Sequence, residues 1–508
     1  MPYAFDIMSS VRTTLSGAAN DNRFYDFILS PARKDNKMEQ TNAALGNDNL
    51  FKLMLKFSLP CVLSLLVSAL YNIVDQIFIG HSAAGDLGNA ATGVVFPVFI
   101  IAQAFAWWFG DGCAAYLNIC QGKNTADGAH RAMGTGIIFT VGAGLIMIAV
   151  FYPIKRPLLY FFGASENSIG LAVEYLDIVL AFMPIFMAMN AVNGIIRADG
   201  SPAWSMTSML AGAVTNIILD AVFIFALDMG MAGAAWATVI GQTLSLAISA
   251  FYLARKTKTF DFGIKSFVPD MRRFGEAVKL GLSSFATQLT IVGIAVVCNA
   301  MLKKYGGLSV YGEDIPLAVI AIESKVFTVV INITVGIALG CQPIIGYNVG
   351  AKNYARVKKL FAYILLCTVV VGAIATLLFE LAPLAVVGIF GAPKHSDPAL
   401  YREFAVKTFR IFLMFVTFTC TVKMTSIFFQ AAGKPVRALA ASVIRDVICF
   451  IPLAVTLPLS MGIDGVLWAA PIADVIAIVI AAVLTVTYFV RLGKDKTGAE
   501  SPSAQNNM

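Results

Sequence analysis

The chain has 508 residues, 58% hydrophobic and 13% charged, and a mean hydropathy of +0.77, far outside the composition of soluble globular domains. This excludes an ordinary soluble enzyme and points to a multi-pass membrane protein. The formal net charge of +7 needs no nucleic-acid partner, because the basic residues gather in loops on one side of the membrane.

Residues 1–50 read as a polar, disordered tail without an apolar h-region, so no cleavable signal peptide is expected. Translation starting at Met1 and at Met38 are both compatible with this tail. Six apolar runs follow, at about 57–80, 90–119, 134–154, 172–196, 203–228 and 231–253. A basic loop at 255–276 then separates these from six more, at about 277–302, 316–346, 358–390, 406–432, 437–460 and 463–490, before a polar tail at 491–508. Each run meets the roughly 20 residues a bilayer requires, and backbone amides in hydrocarbon must be satisfied within the segment, so the runs are helices. The expected fold is an all-α integral membrane protein of twelve helices, with a first lobe at 51–254 and a second at 277–490.

The two halves repeat. Gly230-Met-Ala-Gly-Ala-Ala-Trp236 returns as Gly462-Ile-Asp-Gly-Val-Leu-Trp468, 232 residues later. Arg197-Ala-Asp-Gly-Ser-Pro202 returns as Gln430-Ala-Ala-Gly-Lys-Pro435 at 233, and Gly122-Lys-Asn124 as Ala351-Lys-Asn353 at 229. With six spans each, the halves enter the membrane in the same sense, so their pseudo-two-fold axis is expected along the membrane normal, as in transporters that rock two lobes about a central path. Placing both termini in the cytoplasm puts 26 of the 37 Lys/Arg residues inside and 8 outside, with Lys325, Lys423 and Arg445 within spans. That asymmetry predicts the orientation. Pro60, Pro97, Pro184, Pro343, Pro452 and Pro471 fall inside spans and permit bends there.

The chain has no nucleotide-binding GxxxxGK[ST] loop, no HExxH, and no histidine inside a span, so any pumping must draw on an ion gradient. The eight cysteines lie in or beside apolar runs without CxxC spacing and read as packing residues. Charges inside spans are the sharper signal, because each costs about 2.5–3.5 kcal/mol at mid-membrane. Asp75 and Asp220 share a depth in the outer half. Tyr71 stands one helical turn before Asp75 and Asn216 one turn before Asp220, while Thr238 enters from the sixth span at a similar level. Two carboxylates, an amide and hydroxyls suit Na+ at Asp75, Asn216, Asp220 and Thr238, or a proton shared between the acids. The remaining charges in spans are expected to pair between helices, with Lys423 and Glu323 as one candidate pair lining the second lobe's path. Met183 and Met187 on the fourth span and Phe418 on the tenth offer an adaptable apolar wall for a substrate.

Together Phe57-Ser-Leu-Pro60, Tyr71-Asn-Ile-Val-Asp75-Gln-Ile-Phe-Ile-Gly80, Arg197-Ala-Asp-Gly-Ser-Pro202 and Tyr347-Asn-Val-Gly-Ala-Lys-Asn353 resemble the multidrug and toxic compound extrusion (MATE) family over residues 50–490, in its DinF-like prokaryotic branch. The resemblance implies two six-helix lobes and efflux of amphipathic, cationic compounds by antiport with H+ or Na+. It also implies a cation site at Tyr71, Asp75, Asn193, Asn216, Asp220 and Thr238, with Met209 and the helix-bending Pro60 nearby. The NorM-like branch adds acids in the seventh and tenth spans, where this chain has none in the seventh and Lys423 in the tenth.

The expected protein is therefore not an enzyme. It is expected to be a monomeric antiporter in a prokaryotic cell (inner) membrane, needing no cofactor, ATPase or nucleic acid and meeting only the lipid bilayer and its substrates. A flippase for lipid-linked precursors and a membrane protein with no transport cycle are the rival expectations.

Overall fold

The computed structural model describes residues 41–82, 84–125, 128–388 and 397–499. The 1–40 part of the amino-terminal tail, with Met1 and Met38, and the end of the carboxy-terminal tail lie outside these residues. Among them every regular element is a helix. We number the spans α1 (Leu50–His81), α2 (Gly85–Gly122), α3 (Ala129–Phe151), α4a (Ile169–Ala181) and α4b (Met183–Ala198), α5 (Pro202–Ala226), α6 (Gly230–Arg255), α7 (Met271–Gly307), α8 (Asp314–Gly350), α9 (Tyr354–Leu381), α10a (Pro398–Phe412) and α10b (Val416–Ala431), α11 (Pro435–Met461) and α12 (Ile463–Ala499). The last helix thus runs past residue 490, into the segment expected to be tail.

Ten of these helices are long and apolar enough to cross a membrane unaided, and the two bent pairs bring the number to twelve. The bends occupy the fourth span of each half: 56° between α4a and α4b and 46° between α10a and α10b. Pro184 stands in the first turn of α4b, where its missing N–H costs nothing and the previous helix cannot continue through it. The break at residues 413–415 contains no proline. Pro60, by contrast, sits within α1 without interrupting it, and Ser64 Oγ donates to its carbonyl at 2.7 Å.

The repeated motifs form the same local structures. Gly200 and Gly433 both adopt a left-handed backbone, φ 75° and 71°. Each closes a helix with a six-to-one hydrogen bond, from Ser201 N to the Ile196 carbonyl and from Lys434 N to the Phe429 carbonyl. Glycine meets this geometry without steric cost. The fifth span of each half carries a wider π-helical stretch, Ala221–Ala226 and Ile444–Phe450.

The described ends of the chain share one face of the molecule, the terminal face. There the halves are packed tightly, α2 on α7 and α1 on α8. Small residues permit the approach: a Cβ added at Gly340 would lie 2.5 Å from Ser58 Cα, and one at Gly336 would lie 2.7 Å from Val62 Cα. Buried residues at the start of α1 (Leu50, Leu53, Met54, Phe57) join one apolar core with α8, α9 and α10b. A polar chain also crosses the junction. Asp111 on α2 accepts from Arg197 on α4b and from Ser284 on α7, both at 3.3 Å, and Gln430 on α10b donates to Ser284 at 2.9 Å. Going toward the opposite face, the last hydrogen bonds between the halves among the described residues are near mid-depth, Gln288 to Gln103 and Asn332 to the Leu65 carbonyl.

Candidate functional site

Asp75 stands six residues before the end of α1, Asp220 six before the end of α5, and Thr238 eight after the start of α6. At 1.5 Å per residue, all three lie roughly 9–12 Å in from the opposite face. Matched depth becomes contact because α1 and α6 both pack against α5. Asp75 is 8% exposed and Asp220 0%. Asn216, one turn before Asp220, donates to Thr238 Oγ1 at 3.4 Å. The π stretch begins immediately after Asp220, a helical distortion often found beside functional groups.

Both Asp220 carboxylate oxygens, Asp75 Oδ1 and Asn216 Oδ1 are buried and accept no hydrogen bond from any described residue. Buried acceptors in native proteins almost always have a partner, and an isolated buried carboxylate is far too costly to persist as such. The cluster therefore calls for a positive species shared among its oxygens. Tyr175, buried on α4a where that helix packs against α6, interacts electrostatically with Thr238, Asp75 and Asp220. Tyr71 lies within the fields of the same two acids. Asn72 instead turns outward and donates to the Ser68 carbonyl.

The second half handles its charges differently. Arg445 and Asp446 lie in the π stretch of α11. Arg445 donates to Asp474 on α12 at 2.9 Å and to Asp446 at 3.0 Å, and Lys423 on α10b reaches Asp446 at 2.6 Å. Thr290 and Thr419 complete the acceptor shells of Asp446 and Asp474. Most of the expected pairing is thus present, but Lys423 pairs with Asp446 and not with Glu323.

The MatE family model matches residues 60–222 and 284–456, one segment in each half. The chain belongs to this family. Among its MATE relatives, the multidrug export protein MepA of Staphylococcus haemolyticus is 25% identical over 459 residues, covering 88% of this chain and 96% of that protein. Two solved structures share the fold, each covering 89% of this chain. One is an outward-facing multidrug resistance MATE transporter of the MOP superfamily (TM-score 0.80, 23% identity, 99% of that chain). The other is a MOP superfamily transporter of Pyrococcus furiosus, described as having a binding pocket of reverse polarity that suggests a different function (TM-score 0.81, 23% identity, 98% of that chain). The MATE fold is accordingly two lobes of six helices.

Of the residues expected at the cation site, Asn193 stands apart from the acids. Its carbonyl oxygen accepts from Ser205 and Ser208, both at 2.9 Å, and its amide donates to the Met189 carbonyl. It lies nearer the terminal face, because α4b runs on toward that face beyond the bend. Met209, Asn193 and Arg197 line a small cavity between α1, α2, α4b and α5, against Leu339 of α8. Met183 and Met187 are fully buried in the first lobe's core and present no wall to a substrate in this conformation. Phe418 is half-buried and stacks on Phe415, centroids 5.0 Å apart.

Two residues in these polar clusters were not anticipated. Tyr175 gave no signal beyond an aromatic in an apolar run. Asp199 sits within a motif read as a repeat and as part of the family resemblance, with no role given to the acid itself. It accepts from Tyr252 Oη at 2.6 Å, from Thr259 Oγ1 at 2.5 Å, and from the backbone amides of Lys258 and Thr259, both at 2.8 Å. The loop between lobes is thereby tied to the end of α4b.

Proposed function

We propose that this MATE-family protein is a secondary antiporter exporting amphipathic, cationic compounds in exchange for H+ or Na+ through an alternating-access cycle. The observation that carries this reading is the pair of buried, unpartnered acids on α1 and α5. With the terminal face cytoplasmic, as the distribution of Lys and Arg favours, the closure there and the lack, among the described residues, of hydrogen bonds between lobes beyond mid-depth correspond to an outward-facing state. A cation entering from outside meets Asp75 and Asp220 and compensates their charge. The lobes then exchange one packed arrangement for the other, because the cation stabilises one state more than its alternative. One charge moving through 100 mV supplies about 2.3 kcal/mol, enough for roughly a fifty-fold gradient. The names of the MepA relatives support a multidrug cargo, and the bacterial relatives support a cell-membrane location.

A flippase for lipid-linked phosphates would need free cations facing its path. Two of the three cations within spans, Lys423 and Arg445, are neutralised by Asp446 and Asp474, which leaves Lys325 alone and disfavours that reading. The test is efflux of ethidium from vesicles holding purified protein, with pH and Na+ gradients imposed separately. Gradient-driven efflux is expected in the wild type and at least tenfold less in Asp75→Asn. Normal efflux in the variant would remove the acids from the mechanism, and the ion that drives the wild type names the coupling ion.

A further inference from the structure

Of the buried acids described in the second lobe, one stands outside the Arg445 and Lys423 network. Glu323, nine residues into α8 from the opposite face, is 2% exposed. Its Oε1 has no hydrogen-bond partner among the described residues, and its Oε2 accepts only from the adjacent Ser324 Oγ at 3.4 Å. From other elements, Arg445 on α11 and Cys298 on α7 bear on it, while Lys325, two residues further along α8, is exposed. Arg445 is already held by Asp474 and Asp446 at 2.9 and 3.0 Å, so its charge is spent. The neighbours of Glu323 one turn away on α8, Val319, Ile320 and Val326, belong to or pack against the second lobe's apolar core. An ionised carboxylate in that setting is uncompensated and costs several kcal/mol, whereas a carboxyl group carrying a proton bears no charge.

We propose that Glu323 is a second proton-carrying site, in the lobe opposite Asp75 and Asp220, loaded and unloaded once per transport cycle. A proton fits better than Na+, because a hard metal cation takes about six oxygen ligands. Glu323 has one hydroxyl beside it and a thiol across from it. The first-lobe cluster gathers five oxygen-bearing side chains by comparison. Glu323 lies in the half of the molecule beyond the last hydrogen bonds between lobes, the region that repacks when the lobes exchange faces. Closure there changes the water available to its carboxylate and hence which form is stable.

The transport half of this inference rests on the antiport reading, and the protonation half does not. Infrared difference spectra of purified wild type against Glu323→Gln read the proton directly. A protonated-carboxyl carbonyl band at neutral pH, absent from the variant, is expected. No difference at neutral pH would show an ionised, purely structural Glu323 and overturn the proposal. In vesicles, protons moved per ethidium are expected to fall by one in Glu323→Gln while Asp75→Asn retains the infrared band. A lost band with an unchanged proton count would overturn the cycling role. Gln keeps the size and hydrogen bonding of Glu, and an unchanged thermal midpoint in both variants excludes misfolding. Failure of the antiport reading appears separately, as wild-type efflux indifferent to any gradient.

Discussion

At the scale of the residue, the first-lobe cluster depends on groups that hold the acids in register as well as on the acids. Tyr175 offers a hydroxyl that interacts with Thr238 and with both carboxylates. A neutral hydrogen bond contributes about 0.5–1.5 kcal/mol. Tyr175→Phe is therefore expected to weaken the apparent affinity for the driving ion roughly three- to tenfold while the maximal rate changes less. The ion dependence of ethidium efflux measures both, and an unchanged affinity would remove Tyr175 from the site. Asp75, Asp220, Asn216 and Thr238 were legible in the sequence because polar groups are rare in apolar runs and their distances from span ends can be counted. Tyr175 was not, because an aromatic in a membrane helix carries no mark of which neighbour it meets.

At the scale of the element, helix ends carry the information. Asp270 caps α7, its carboxylate accepting from Arg273 N at 3.1 Å and from Arg273 Nη1 at 2.9 Å. The Arg273 amide first, and the guanidinium after it, hold this carboxyl below its ordinary value of 3.8. A depressed acid stabilises the fold above its unfolded value, and that stabilisation is lost as pH falls through the lower folded value. Protection of the Arg273 amide from hydrogen exchange is thus expected to be steady above pH of about 4 and to decline below it. Asp270→Asn, which keeps an acceptor without the charge, should flatten this decline, and Asp270→Ala should cost about 1 kcal/mol locally. The repeated loops were visible as sequence, and their glycines as caps followed from chemistry. The break between α10a and α10b was not visible, because it contains no proline to announce it.

At the scale of the whole molecule, the two lobes act on one another through small residues at the terminal face. A methyl group at Gly122 would overlap the Tyr347 carbonyl of the opposite lobe, and the other atoms nearest it also belong to that lobe. Gly122→Ala therefore opposes closure of this face without crowding the first lobe itself. Overpacking costs about 1–3 kcal/mol, a shift of roughly five- to 140-fold in the balance of states. Spin-label distances between the terminal ends of α2 and α8 should lengthen in the variant, with the thermal midpoint nearly unchanged. Equal distances in both proteins would show that the packing relaxes around the methyl.

The sequence by itself determined the membrane class, the two lobes and the depth of the first-lobe acids. Hydropathy, repetition and distance from a span end are all read along one dimension. Only the tertiary structure decided that Asn193 belongs to a serine cluster, that Lys423 meets Asp446 while Glu323 is left without a cation, and that Met183 and Met187 are core. Helices in lipid are apolar on every side, so periodicity does not reveal which face points inward. The rotation of each helix, and the bends in α4 and α10, set those partnerships through packing between segments distant in the chain.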